Sequence, residues 1–314
     1  MKLYRLRFLI QAVSFTVLTY GGYFGMRLGH FLPCFACPYA GGCSGHCYLM
    51  ALQGSQWGAQ IPFAEITGFG GVRALGMFAG FFLLVVIFSK TWCGWICPFG
   101  TLQDWISALR RKIAVRESQL SWGLRDKLKP VKYIFLVLLI IIPVLIANAG
   151  FHSDLRLPFC QICPAKPLMP VFNGDFSHFA VDVTNPITAI MTISSVILAS
   201  GILVGILFKD RFFCMFCPLL ALISLFDKVG FIRLKKQVDA CIGCGNCRSV
   251  CPVDIREVHL EKEKENVLTQ DCLLCLKCAE ACPQNNALSL EFLGKTVFSS
   301  SRKYVAPYFK EKRG

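Results

Sequence analysis

Residues 241–252 read CIGCGNCRSVCP and residues 272–283 read CLLCLKCAEACP. Both follow C-x2-C-x2-C-x3-C-P, and no other feature of the chain restricts its folding as tightly. Two residues between cysteines form a tight loop that turns successive thiols to one side, spaced to touch the corners of a cube. Backbone N–H groups of such a loop point at the sulfurs and offset their negative charge. The proline after the fourth cysteine offers no competing donor and turns the chain away. Structural zinc is the competing reading, since C-x2-C pairs are usual there too. Zinc calls for two pairs, however, not a triplet plus a proline-flanked single cysteine, given twice.

The spacing is that of bacterial two-cluster ferredoxins, where three cysteines of one run and the fourth of the other bind each [4Fe–4S] cubane. Assigned in this way, Cys241, Cys244, Cys247 and Cys282 hold one cluster, and Cys272, Cys275, Cys278 and Cys251 hold the second. A small α+β ferredoxin domain is expected over 228–293, with a basic tail over 294–314. Cubanes so close together serve to pass single electrons. The intervening PVDIREVHLEKEKENVLTQD reads as a solvated hairpin and loop, with His259 a surface residue rather than a ligand.

The rest of the chain reads as membrane. It is 54% hydrophobic and 17% charged. Four apolar runs are long enough, or nearly so, to span: about 8–26, 74–90, 133–150 and 187–208. The second is only about 24 Å long as a helix and is expected to continue through Thr91–Phe99. No small-residue cleavage site follows the first, so it reads as an uncleaved anchor. Arg110, Arg111, Lys112, Arg116, Arg125, Lys127 and Lys129 crowd the loop between the second and third runs. The positive-inside rule then places both termini and this loop in the cytoplasm. A net charge of +14 distributed this way suits orientation, inner-leaflet lipid or an acidic partner, and not nucleic acid.

The other ten cysteines lie in this first part, 1–227. LPCFACP (Cys34, Cys37) follows the first run, TWCGWICPFG (Cys93, Cys97) the second, LPFCQICP (Cys160, Cys163) the third and RFFCMFCPLL (Cys214, Cys217) the fourth. The order helix, pair, helix, pair occurs twice in one orientation, so the expected fold is an all-α, four-helix transmembrane module of two parallel helix-hairpin repeats. Two symmetry-related pairs complete a four-thiolate site that one pair cannot. Cys93, Cys97, Cys214 and Cys217 are expected to meet at the inner face, and Cys34, Cys37, Cys160 and Cys163 at the outer. Small apolar packing residues are the plainer reading of any one pair. Cys43 and Cys47 have no counterpart in the second half; a disulfide, a further outer site and replacement of an outer pair stay open. No histidine lies inside a run, so a haem buried between two of them is not expected. His30 and His152, near the outer ends of the first and third runs, read as interfacial residues or as ligands of a haem or quinone head group.

CGWICPFG, the second Cys-Pro pair and the paired ferredoxin runs resemble the NapH and NosR type of membrane polyferredoxin, over about residues 70–290. The resemblance implies a subunit that exchanges electrons with quinol and a separate redox protein. It carries over to the inner pairs and the eight ferredoxin cysteines, whereas the outer cysteines depart from it. The expected function is a membrane-integral iron–sulfur subunit, passing single electrons between the cytoplasmic domain and a periplasmic or quinone partner. One or two Fe–S clusters in the membrane module would join the two of the ferredoxin domain. A quinol dehydrogenase subunit with structural outer cysteines and a metal-handling, oxidase-assembly polyferredoxin are the alternatives. Clusters held at opposite faces would lie nearly a bilayer apart unless the Cys-Pro loops are recessed. No nucleotide fingerprint or nucleophile constellation is present, so chemistry on a substrate falls to other subunits.

Overall fold

The computed structural model describes residues 3–53, 69–113, 122–148 and 157–305. Helix α1 spans Leu3–Tyr20, and the short α2 (Tyr48–Leu52) precedes α3 (Phe69–Phe88). Helices α4 (Pro98–Lys112) and α5 (Trp122–Leu128) lead into α6 (Val131–Asn148). Two short helices, α7 (Pro158–Ile162) and α8 (Ala165–Leu168), precede α9 (Pro186–Phe208) and α10 (Pro218–Ser224). The last part holds strand β1 (Ile232–Lys236), short helices α11 (Asn246–Ser249), α12 (Glu257–Leu260) and α13 (Lys277–Ala281), and strands β2 (Leu288–Phe292) and β3 (Lys295–Ser299).

The four apolar runs become α1, α3, α6 and α9, with shifted ends. Among the described residues α9 alone is long and apolar enough to cross a membrane, and the apolar part of α3, Leu75–Phe88, is shorter. All four leave large apolar side chains uncovered, among them Val13, Leu75, Val137 and Ile197. The opposite faces pack inward: α1 on α4, α4 on α9, and α6 on α10, around Phe81, Leu139, Ile206 and Ile223. His152 and the end of the third run lie outside the described residues.

The second run does not continue through Thr91–Phe99. Ser89 takes a left-handed φ of 46°, a π-helical turn occupies Trp92–Ile96, and Pro98 opens α4. The cause is Lys90, which is fully buried. Its ammonium reaches Asp227 at 2.5 Å and the Thr269 carbonyl at 2.7 Å, and a straight helix would leave it in an apolar face. The basic tail also begins later than expected. Strands β1, β2 and β3 form an antiparallel meander in which Leu234 faces Leu290 and Leu290 faces Phe298. Leu293 and Gly294 both adopt positive φ, 49° and 78°, so a two-residue hairpin carries the sheet past residue 293. Leucine is a poor residue for that turn, which hid it.

The sheet domain is fastened to the helices by charge. Lys132 pairs with Asp271 at 2.5 Å, Arg125 with Asp271 at 3.4 Å, and Lys129 with Glu257 at 3.2 Å. Arg125, Lys129 and Lys132 thus find acidic partners in the cysteine-rich domain, while Arg110 and Arg111 pair with Asp210. At the start of α1, buried Arg7 donates to the Cys275 carbonyl at 2.7 Å and pairs with Glu280 at 3.2 Å. Removing one partner of a buried pair strands the other charge, at about 3–5 kcal/mol. Arg7→Met should therefore loosen the docked domain, read as faster hydrogen exchange across 272–282. Arg7→Met with Glu280→Leu should recover part of the protection.

Candidate metal centres

The two cysteine loops of the sheet domain need left-handed backbone at two positions each. The first uses Gly243 and Gly245, with φ of 66° and 74°. The second places Leu274 and Leu276 there, at 48° and 59°, and both leucines are buried. A side chain in this region costs roughly 1–2 kcal/mol, which burial of a leucine offsets. The first loop is the conformationally easy copy, and the second uses its leucines for packing.

Cys241, Cys244, Cys247 and Cys282 line one cavity, together with His259. Cys251, Cys272, Cys275 and Cys278 line a second, which Cys247 also borders. The fourth cysteine of each run thus reaches the other run's cavity. His259, expected at the surface, is half-buried on the wall of the first. Backbone amides turn to the sulfurs: Ile255 N–H donates to Cys251 at 3.3 Å and Leu274 N–H to Cys272 at 3.4 Å. Burial pushes the thiols of Cys247 and Cys251 up to about 11 and that of Cys272 up to about 12. Such thiols keep their protons at neutral pH until a cation takes the protons' place. Among the described residues no three His, Cys, Asp or Glu side chains converge tightly enough for a single metal ion. The cysteines surround spaces instead, which suits a cluster with iron at its corners and not a lone zinc.

The inner cysteines also come together. Cys217 lies within electrostatic reach of Cys214, Cys93 and Cys97, and Cys93 within reach of Cys97 and Cys214. Buried Arg211 stands over them, donating to the carbonyls of Cys93 and Gly94 and to Asp104. Burial alone would raise the Asp104 carboxyl, but Arg211 and Lys277 bring it far below the usual carboxylate range. This cation and Gln103, which donates to Cys214 Sγ at 3.7 Å, were missed in the sequence.

The outer cysteines group differently from the expected set. Cys37 lies within reach of Cys163, Cys160 and Cys47, and Cys47 within reach of Cys160 and Cys43. Cys34 lies within reach of Cys97, Cys47, Cys93 and Cys43. It sits in a small buried group with Leu18, Leu32 and Ala36, packed against Cys43, Trp92, Ile96 and Cys97. The segment 28–48 loops back to pair in parallel at Leu32 and Cys47, through Leu32 N–H to the His46 carbonyl and Tyr48 N–H to the Leu32 carbonyl, and that loop carries Cys34 inward. His30 lies with its ring 4.7 Å from that of His46. The Phe35 N–H lies near the Cys97 thiol, and Phe35 packs on Phe99 and Phe213. Outer and inner sets are therefore neighbours, not a bilayer apart.

The inner set meets the second cavity just as closely. Trp95 Nε1 donates to the Leu274 carbonyl at 2.9 Å. A Cβ on Gly94 would stand 2.4 Å from the Leu273 carbonyl oxygen, so only glycine lets these loops meet. The cysteine sets thus adjoin one another in a series, from the exposed cysteine loop to the outer loops.

A family model described as a 4Fe-4S binding domain matches twice, at residues 71–116 and 191–237. The matches cover α3 with α4 and α9 with α10, each with one inner cysteine pair. A second model, described as a 4Fe-4S dicluster domain, matches 233–283. The chain is 27% identical to the putative electron transport protein YccM of Escherichia coli, over 77% of this chain and 60% of that protein's length. It is 26% identical to the ferredoxin-type protein NapH of Haemophilus influenzae, over 63% of this chain and 61% of NapH. The regulatory protein NosR of Pseudomonas aeruginosa is 26% identical over 59% of this chain and 22% of its own length. No solved structure matches. The chain is a relative of the NapH and NosR type of protein, and it carries ferredoxin-type 4Fe–4S domains in both its helical and its sheet-containing parts.

Proposed function

We propose that this protein is a membrane-integral iron–sulfur subunit that passes single electrons between a cytoplasmic domain and a quinone or periplasmic redox protein. The supporting observation is the unbroken order of the cysteine sets. Cys247 borders both cavities of the sheet domain, Trp95 and Gly94 join the second to the inner set, and Cys34 packs between inner and outer cysteines. When bound, [4Fe–4S] clusters supply reversible one-electron steps, at potentials from roughly −700 to +450 mV.

The residues have separate parts in this reading. Cys241, Cys244, Cys247 and Cys282 hold one cluster, Cys251, Cys272, Cys275 and Cys278 the second, and Cys93, Cys97, Cys214 and Cys217 a third. Arg211, within reach of both Cys214 and Cys275, balances thiolate charge at the junction. Helices α1, α3, α6 and α9 cross the bilayer with their uncovered apolar faces in lipid, and both termini lie in the cytoplasm. With the inside negative, an electron leaving the cytoplasm gains about 2.3 kcal/mol per 100 mV, so export of reducing equivalents is the favoured direction.

Quinol oxidation is the second reading, and one cavity favours it. A space of about 400 Å³ opens between α1, α4 and the sheet domain, lined by Tyr4, Gln11, Asp104, Trp105 and Lys277. Gln11, Asp104 and Lys277 give this cavity the polar groups that a quinone head group needs.

Iron and acid-labile sulfide per chain test the main reading. About sixteen of each should be found for four cubanes; about eight would confine clusters to the sheet domain. Cys282→Ser should delete one ferredoxin-type EPR signal and about four irons, leaving the Cys251 set intact. In sealed inside-out vesicles, external protease should cleave the C-terminal domain; its protection there would refute the topology.

A further inference from the structure

Residues 43–53 read CSGHCYLMALQ and residues 93–103 read CGWICPFGTLQ. Both follow C-x3-C-x5-Q, a repeat that links the outer region to the inner one. The two glutamines are buried, at 3% and 0% exposure, and they do the same things. Gln103 Nε2 donates to the Phe99 carbonyl at 3.3 Å and to Cys214 Sγ at 3.7 Å, while its Oε1 accepts the Phe213 N–H at 3.0 Å. Gln53 Nε2 donates to the Leu49 carbonyl at 3.1 Å and to Cys160 Sγ at 3.1 Å. Its Oε1 accepts the N–H groups of Phe159 and Cys160 at 2.9 and 3.1 Å.

A buried primary amide is costly unless satisfied, and here two amides are satisfied by matching partners. Each ties its own helix, through the carbonyl one turn back, to the start of a C-x2-C-P pair that is distant in sequence. The helix of Gln53 begins directly after Cys47 and that of Gln103 directly after Cys97. The backbone N–H groups of Met50 and Leu49 lie near the Cys47 thiol, as those of Gly100 and Phe99 lie near that of Cys97. Cys47 is therefore the outer equivalent of Cys97, by its helix start and its spacing to the glutamine. The copy is not complete. Cys43, the sequence counterpart of Cys93, turns its thiol to the Gly45 carbonyl at 2.6 Å, and Cys37 faces Cys163 and Cys160 instead.

We propose that Gln53 and Gln103 are matched positioning residues for two membrane-side centres, and that the outer centre is held by Cys37, Cys47, Cys160 and Cys163. This rests on the iron–sulfur reading above. An amide N–H directed at a ligand sulfur favours the more negative, reduced cluster. Each glutamine thus raises the potential of its own centre as well as setting its geometry.

The test uses the full chain, purified with its clusters, with iron, sulfide and potentiometric EPR as readouts. Cys37→Ser and Cys47→Ser should each lose one membrane-side signal and about four irons, while Cys34→Ser and Cys43→Ser keep both. The ferredoxin signals report folding in every variant. Gln53→Leu should move one membrane-side centre to lower potential and leave the other unmoved; Gln103→Leu should do the reverse. Full iron in Cys47→Ser, loss of the signal in Cys34→Ser, or glutamine variants with unchanged potentials would overturn the assignment alone. Wild-type protein holding only the iron of the sheet domain would overturn the reading beneath it as well.

Discussion

Three peptide carbonyls in the second cysteine loop carry the junction between the two parts of the chain. The Leu274 oxygen accepts from Trp95 and the Cys275 oxygen from Arg7, while the Leu273 oxygen faces Gly94 across a gap that excludes any side chain. These oxygens point outward because the cysteine spacing forces left-handed backbone at Leu274 and Leu276. A buried carbonyl without a donor costs about 1–3 kcal/mol, so the loop is complete only when α1 and the π-helical turn supply theirs. Ligand geometry in one domain and the break between α3 and α4 in the other are one arrangement.

Charge works on the same contact. Arg7, Lys90, Arg110, Arg125, Lys132 and Arg211 are all buried, which is rare for such residues and tolerated only with partners. Aspartate and glutamate supply part of the balance. Cysteines lie beside the same cations: Lys90 is within reach of Cys272, Lys209 of Cys251, and Arg211 of Cys214 and Cys275. Basic residues that a topology rule treats as markers of sidedness thus also provide counter-charge for clustered sulfur.

The crossed grouping of the eight ferredoxin cysteines was expected from their spacing, and the two cavities are lined by those groups, Cys247 bordering both. The four long helices could be read from apolar runs, since each run is long and uninterrupted. Position along the chain gave no such information for the outer cysteines. Cys34 and Cys37 are close in sequence, yet Cys34 reaches Cys97 and Cys93 while Cys37 reaches Cys163 and Cys160, because the 28–48 loop turns one inward. The break at Ser89 and the turn at Leu293 were hidden for a related reason: long-range partners hold serine and leucine in conformations they do not prefer. Gln53 and Gln103 had a signal in the C-x3-C-x5-Q repeat, but an amide in an apolar helix has no evident role until its distant partners are known.

Of the eighteen cysteines only Cys244 is exposed, and its neighbour Ile242 is also uncovered. The first cavity is therefore the end of the series open to water, and so to dissolved oxygen. Were clusters bound, oxidative decay would begin there, where Cys244 is uncovered, and would spare the thiols sealed behind leucine and tryptophan. A damaged molecule would lose its link to the aqueous side first, while its deeper centres survived, cut off from any donor in solution.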